Sequence, residues 1–351
     1  MEKSPLTTLC YIEKDNKYLM LHRVKKQKDV NKDKWIGIGG HFEKGESPEE
    51  CLLREVKEET GLILTSFSFR GIITFFAEGW QTEYMCLYTA DRFEGTLTEC
   101  EEGVLEWIEK EQLLSLNLWE GDKIFFQLLI ENIPFFSLKL SYNKERLTEA
   151  VLNGKPMELL ELRREDGSLT GIVRERTIVH KNGDLHGTSH VWIVRFTKVG
   201  GFEILMQKRS HKKDSFPECY DTSSAGHISA GSNYLESALR ELEEELGICA
   251  QPEDLQQAFM HLGYTETEFY GKPFKNAEIS MVYVYHQPVN LETLKLQKEE
   301  VEEVCWMDYE KVLQEIRQEA ASGEIKKYCV FLDEFENLGQ WLRKNLIDKS
   351  K

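Results

Sequence analysis

The chain has 351 residues, which at roughly 150 residues per domain suggests two domains. Its 44 Lys and Arg against 61 Asp and Glu give a formal net charge of −17. That balance argues against a nucleic-acid polymer as partner, because such proteins present basic faces to phosphate. It leaves room for a single nucleotide, since a divalent cation inverts the local charge of an acidic site. A hydrophobic fraction of 41% is that of a packed protein. No apolar run approaches the roughly 18 residues that cross a bilayer, and MEKSPLTTLCYIEKDNKY lacks the apolar segment of a signal peptide. The eight cysteines are scattered without a CxxC pair, so neither a zinc knuckle nor a disulfide framework is indicated. A cytoplasmic protein without a membrane partner is expected.

In chain order, LTTLCYI and KYLMLHR read as strands separated by a turn. A basic loop, VKKQKDVNKDK, leads into the glycine-rich WIGIGGHFEKGES. A helix is predicted to start with Ser47 as N-cap, Pro48 at its first position and Glu50 closing a capping box; Gly61 ends it. Strands SFRGIITFFAE and TEYMCLYTADRF, a helix near Glu120–Ile133 and the strand PFFSLKLSYN follow. The second half repeats this order after a hairpin around Asp166 and Gly167. Strands HVWIVRF and GFEILMQKRS precede SSAGHISAGSN and the helix YLESALRELEEELG, stopped by Gly247. Strands FMHLGYTET and EISMVYVYHQP come next, and the tail from Tyr309 is helical in pattern. The repetition is at domain scale. The boundary is placed in the polar stretch TEAVLNGKP, giving domains 1–150 and 151–351.

On the first such helix Glu55, Glu58 and Glu59 fall at i, i+3 and i+4 and share a face. Like charges so placed repel. Their concentration makes sense beneath a hard divalent cation, which takes oxygen ligands. Arg54 is placed to brace one carboxylate, and Gly37, Gly39 and Gly40 allow close backbone approach. From Gly40, GHFEKGESPEECLLREVKEETGL fills Gx5Ex7REUxEExGU, with U aliphatic, at Gly40, Glu46, Arg54, Glu55, Val56, Glu58, Glu59, Gly61 and Leu62.

This segment resembles the Nudix box. The resemblance implies an α/β fold: two α/β/α sandwiches, each with a mixed β-sheet and a catalytic loop–helix–loop. It implies hydrolysis of a nucleoside diphosphate linked to another group, with Mg²⁺ or Mn²⁺ on the box. By position Glu55, Glu58 and Glu59, with Gly39, are the metal set, Arg54 orients Glu55, and Glu46 is structural. The cation would activate water and a carboxylate would take its proton. Glu101 and Glu102 are candidate accessory acids.

Residues 3–140 resemble the MutT-type 8-oxo-dGTP diphosphatases. Trp119 and Asp122 match a late Trp-x-x-Asp stretch that covers a purine and reads its edge; a Trp face stacks on a base and a carboxyl pairs with ring N–H groups. Arg23 is a candidate contact for phosphate or sugar. The mammalian enzymes place Asn after the Trp of the KW pair, where this chain has Ile36.

From Gly226, GHISAGSNYLESALRELEEELGI matches the same box at Gly226, Arg240, Glu241, Leu242, Glu244, Glu245, Gly247 and Ile248, with Ser232 at the upstream Glu position. Arg240, Glu241, Glu244 and Glu245 are thus the second catalytic and metal set. Residues 157–306 resemble isopentenyl-diphosphate isomerase-like Nudix proteins through HKNGDLHGTSHVWIV, LMQKRSHKKDSFPECYDTSSAGHISAG and NAEISMVYVY. His180, His186 and His227 align with that branch's metal histidines and Glu278 with one glutamate, but the other glutamate is Asn276 and the catalytic Cys is Ala225. A hydrolase on an isomerase-like scaffold is therefore expected, with Glu299 and Glu300 as candidate bases. A non-catalytic ligand-binding or dimer-mimicking module, and an isomerase, are the alternatives. Pairing of the two domains, or of two chains, is left open.

Overall fold

The computed structural model describes residues 5–25, 29–197, 200–213, 215–322 and 327–347. Parts of the basic loop (26–28) and of the tail expected to be helical (323–326, 348–351) lie outside the described residues. Two compact units are present. One comprises residues 1–159 and 173–178, the other 160–172 and 179–351.

In the first unit the strands are β1 (Leu6–Lys14), β2 (Lys17–His22), β3 (Trp35–Ile36), β4 (Ile63–Ala77), β5 (Glu83–Glu94), β6 (Val104–Glu109), β7 (Phe136–Asn143), β8 (Arg146–Leu152) and β9 (Lys155–Pro156). Helix α1 (Pro48–Thr60) follows β3, and α2 (Glu120–Ile130) precedes β7. The sheet order is β3-β2-β1-β5-β4-β7-β8-β9, with β6 on β2. It is mixed: β1 runs parallel to β5 and β4 to β7, while β1–β2 and β4–β5 are antiparallel.

Strand alternation explains why both faces are covered. Cys10, Ile12, Leu19 and Leu21 pack with Leu52 and Val56 of α1. Tyr11 and Tyr18 point the other way, to Phe125 and Phe126 of α2, at ring separations of 4.6 to 6.2 Å. The polar stretch 148–156, expected to be an inter-domain connector, is instead strand β8 and the turn into β9. Leu147 and Ala150 point inward with exposed Thr148 and Glu149 between them, where a bulge at Thr148 shifts the pairing with β7.

The second half contains β10 (Leu159–Arg163), β11 (Leu169–Glu175), α3 (Arg176–Asn182), β12 (Leu185–Phe196), β13 (Phe202–Arg209), β14 (Tyr220–Asp221), β15 (Ser224–His227), α4 (Tyr234–Leu246), β16 (Leu255–Phe269), β17 (Lys272–Tyr285), β18 (Val301–Asp308), α5 (Tyr309–Ser322) and α6 (Leu332–Leu342). Strand β12 is central: antiparallel to β10, β13 and β15, parallel to β17. Val191 and Ile193 face Ala238, Leu242 and Leu246 of α4. Trp192 and Val194 face Val312 and Leu313 of α5 and Phe335 and Leu338 of α6. Each half is therefore helix on sheet on helix, as the sequence implied.

Glu334 of α6 is buried and receives Trp192 Nε1–H at 2.9 Å and His190 Nδ1 at 2.8 Å, with His261 Nδ1 at 3.3 Å. Burial alone would lower the pKa of His190, but Glu334 and then Glu278 outweigh it and raise it to about 9. His190 is thus a buried cation whose main counter-charge is Glu334. Glu334→Ala is expected to destabilise the second unit by about 3–5 kcal/mol, the cost of stranding a buried charge. Denaturant unfolding followed by the fluorescence of Trp192 and its neighbours checks this.

Candidate active sites

The first box is assembled by α1 and the loop before it. The capping box forms as predicted: Glu50 N–H donates to Ser47 Oγ at 3.2 Å, and Ser47 N–H to the Glu50 carboxylate at 2.8 Å. Gly61 closes the helix in the left-handed region, with φ 75°. Arg54 is the hub. Its Nε and Nη2 grip both oxygens of Glu46 at 2.6 and 2.9 Å, and Nη1 donates to Glu55 at 2.7 Å and Glu58 at 3.2 Å. Its Nη2 also reaches the His41 carbonyl at 3.1 Å. The Arg54 guanidinium holds Glu46 down to about pKa 2.

Glu59 is fixed from the other side, accepting Gly39 N–H at 3.2 Å. A Cβ on Gly39 would lie 2.0 Å from the Thr8 carbonyl oxygen, and one on Gly40 2.5 Å from the Glu55 carboxylate. Only glycine lets the loop lie this close to the sheet and to the acidic face.

The second box repeats the plan with a different balance. Helix α4 carries its own capping box, Asn233 with Glu236, which the sequence reading had passed over. Arg240 reaches Glu241 at 2.7 Å, Glu244 at 3.0 Å and the His227 carbonyl at 3.3 Å. Ser232 offers no carboxylate, so the bidentate grip of the first box has no counterpart, and the Arg240 side chain is 39% exposed against 22% for Arg54. A Cβ on Gly226 would overlap Glu241 at 2.1 Å. Glu245 accepts Ala225 N–H at 3.3 Å and is pushed up to about pKa 8 by burial and then by Glu241.

The remaining candidates are placed as follows. Arg23 is held between Asp29, at 2.7 Å, and Glu102, so Glu102 is an ion-pair partner in this conformation. Glu101 is exposed on the same loop, and neighbouring Cys100 packs in one core cluster with Leu52 and Val56 of the box helix. Trp119 caps α2 and is buried: Nε1–H donates to Asn31 at 2.9 Å, Phe75 and Tyr142 pack edge-on, and the Lys34 ammonium lies 5.0 Å over its ring. Asp122 is buried beside it and raised to about pKa 8 by burial, with Lys34 opposing. In the second unit Glu300 pairs with Lys213, and Glu299 is exposed.

A Nudix domain model matches residues 3–129 and 187–329. The chain belongs to the Nudix family. Among its relatives, Nudix hydrolase 3 of Arabidopsis thaliana is 44% identical over 148 residues, covering 42% of this chain and 18% of that protein. An uncharacterized Nudix hydrolase of Clostridium acetobutylicum is 36% identical over 144 residues, 41% of this chain and 66% of its own length. This chain thus spans less than two thirds of either relative. The mouse oxidized purine nucleoside triphosphate hydrolase is 30% identical over 136 residues, 38% of this chain and 85% of the mouse protein. A MutT protein of Bacillus halodurans is a solved structure with 27% identity and a TM-score of 0.39, covering 43% of this chain and 99% of its own.

In each box three carboxylates, oxygen donors of the kind a hard divalent cation takes, share one helix face braced by one arginine, with Gly40 close against Glu55 and Gly226 against Glu241. A different donor set lies elsewhere in the second unit. His180, His186 and His227 bring their ligand nitrogens within 4.8 Å of one another. The His186 Nδ1 sits 3.0 Å from the Asp184 carbonyl, which can only accept, so Nδ1 carries the proton and Nε2 the lone pair. Imidazoles so gathered suit a first-row transition metal better than Mg²⁺.

The Arg54–Glu46 pair has a pH signature. The folded-state pKa of Glu46, about 2, lies below the usual 4.5, so its contribution is present above pH 4.5 and lost as pH falls toward 2. Glu46→Ser, which copies Ser232, is expected to lower the melting temperature of the first unit at neutral pH and to converge with wild type near pH 2. Melting curves across that window test it.

Proposed function

We propose that the chain is a divalent-cation-dependent pyrophosphohydrolase with two sites. The observation that carries this reading is the pair of complete Arg–Glu–x–x–Glu–Glu sets, each anchored by its own loop. The first site hydrolyses a purine nucleoside triphosphate, with 8-oxo-dGTP giving 8-oxo-dGMP and pyrophosphate as the favoured substrate. Support comes from Trp119 and Asp122, both buried at the start of α2, and from the mouse and zebrafish oxidized purine nucleoside triphosphate hydrolases among the relatives. The second site hydrolyses a diphosphate compound whose identity the fold leaves open.

Glu55, Glu58 and Glu59, and Glu241, Glu244 and Glu245, would hold Mg²⁺ or Mn²⁺. When bound, the cation neutralises phosphate charge and makes an attacking water more acidic. The residues supply the rest. Arg54 and Arg240 fix the carboxylates on one helix face. A box carboxylate takes the proton of the water attacking phosphorus. Glu245, near neutral in pKa, is suited to hold a proton and must release it when a cation binds. Arg23 acts as a brace for the Glu102 loop and contacts phosphate only if substrate displaces one of its partners.

A weaker second site is the reading favoured by Ser232 and by the exposed Arg240. Isomerase activity is disfavoured because Ala225 has no thiol to move a proton. All eight cysteines are free, and no described helix is long and apolar enough to cross a membrane, which supports a reducing, cytoplasmic setting.

The test is pyrophosphate and phosphate release from 8-oxo-dGTP, other nucleoside triphosphates, ADP-ribose, dinucleoside polyphosphates and CoA, with Mg²⁺. Glu58→Gln with Glu59→Gln should abolish triphosphate hydrolysis by more than about a hundredfold, since even an outer partner of a metal ligand is worth about 10–100-fold. Glu244→Gln with Glu245→Gln should leave it intact. Turnover of triphosphate that survives the first pair and vanishes with the second would reverse the assignment. A full chain inert toward every diphosphate would end it.

The second box should also bind Mg²⁺ more tightly as pH rises toward about 8, the pKa of Glu245, and level off above it. Calorimetric titration of the Glu58→Gln, Glu59→Gln chain measures this. Affinity flat between pH 6 and 8 would contradict it.

A further inference from the structure

On the nucleotide reading, the position after Trp35 supplies no base reader to the first site. Ile36, after Trp35, packs against the apolar core and has no hydrogen-bonding group to offer. The neighbouring residue on the other side of Trp35 does. Lys34 is mostly buried, its side chain 12% exposed, and its ammonium lies over the Trp119 ring.

Two loops fix that placement. Lys34 N–H donates to the Asn31 carbonyl at 2.9 Å, and Trp35 N–H to the Asn117 carbonyl at 3.0 Å. Asn31 holds Trp119 through its indole N–H, and the Asn117 amide returns to the Asp33 carbonyl at 2.9 Å. The ammonium, with three N–H donors, meets Asn117 Oδ1 at 3.3 Å and the Glu145 carboxylate at 3.6 Å among the described residues. Asp122, whose N–H donates to the Trp119 carbonyl at 3.0 Å, is buried and feels Lys34 as its leading positive charge, yet among the described residues no ion pair joins the two. A donor-only cation over the Trp119 ring and a buried carboxylate three residues further on thus stand without pairing with each other.

We propose that Lys34 is the specificity-determining residue of the first site, selecting guanine-type over adenine-type nucleotides by donating to the base carbonyl at the 6-position while Asp122 takes the ring N–H donors. This rests on the nucleotide reading of that site. The chemistry is asymmetric: guanine presents an acceptor at O6, adenine a donor at N6, and an ammonium has no lone pair to receive it. Adenine would leave both its amino group and Lys34 unsatisfied in a desolvated pocket, and such a mismatch is costly.

The experiment compares kcat/KM for 8-oxo-dGTP and 8-oxo-dATP in the full chain carrying Glu244→Gln and Glu245→Gln, so that only the first box acts. Lys34→Met, which keeps the aliphatic stem over Trp119, is expected to cut the guanine-to-adenine ratio about tenfold or more. Lys34→Gln, which accepts as well as donates, is expected to raise 8-oxo-dATP turnover. Melting temperatures establish that both variants fold. A ratio within about twofold of the parent in both folded variants overturns the proposal, and an equal loss for both nucleotides does the same, since that is what a purely structural lysine would give. If the parent turns over neither nucleotide, the nucleotide reading has failed and Lys34 falls with it; turnover with an unchanged ratio leaves that reading standing and removes Lys34 alone.

Discussion

Three carboxylates on one face of a short helix repel one another, and everything around each box answers that repulsion. In the first box the answer is cationic. The Arg54 guanidinium is shared among Glu46, Glu55 and Glu58, and Gly39 lends an amide dipole to Glu59. In the second box the upstream carboxylate is missing, so Arg240 is less tied down and Glu245 is buried instead. Its pKa near 8 means that one proton does there part of what the arginine grip does in the first box. The same geometric demand is therefore met by two electrostatic routes, and the difference follows from Ser232 standing where Glu46 stands in the first half.

How much of this could be read from the sequence depended on whether the signal was local. The boxes, their helix caps and their strand partners are set by residues within a turn or two of one another, and Ser47, Glu50, Gly61 and Gly247 mark them. The stretch 148–156 reads as a linker because Thr148, Glu149 and Asn153 are polar and its pairing with β7 is not local in the sequence pattern. The His190–Glu334 pair is 144 residues apart in sequence, beyond any local pattern. A signal did exist: Glu334 lies on the same helical face as Leu338 and Leu342, where an acid is out of place without a buried partner.

Strand parity separates chemistry from support in the second unit. Along β12, Val191 and Ile193 face the box helix and carry only packing. The alternate residues His186, Thr188 and His190 face the other way, and β17 and β16 set Glu278, Ser280 and His261 in neighbouring register. Thr188 and Ser280 are joined at 2.7 Å, and Ser280 reaches Glu278 at 3.4 Å. A polar row thus runs inside the sheet from the histidine cluster to α6. Buried polar groups are costly unless satisfied, so the otherwise apolar buried face of α6 brings Glu334 to close the row.

The same reasoning distinguishes what the two halves can recognise. The layer opposite the box helix is aromatic in the first unit, where Tyr11, Tyr18, Phe125 and Phe126 pack on α2, and in the second it is an apolar core around Trp192 and Phe335 that also carries the polar row. A shared helix can deliver the same phosphate chemistry to both, because the box needs only its loop, its arginine and its glutamates. What lies beyond the phosphates meets different surroundings: a tryptophan, a lysine and an acid in one case, a histidine cluster in the other. On the proposed function this arrangement of layers gives duplicated chemistry with divergent recognition, so a substrate found for one half carries no weight for the other.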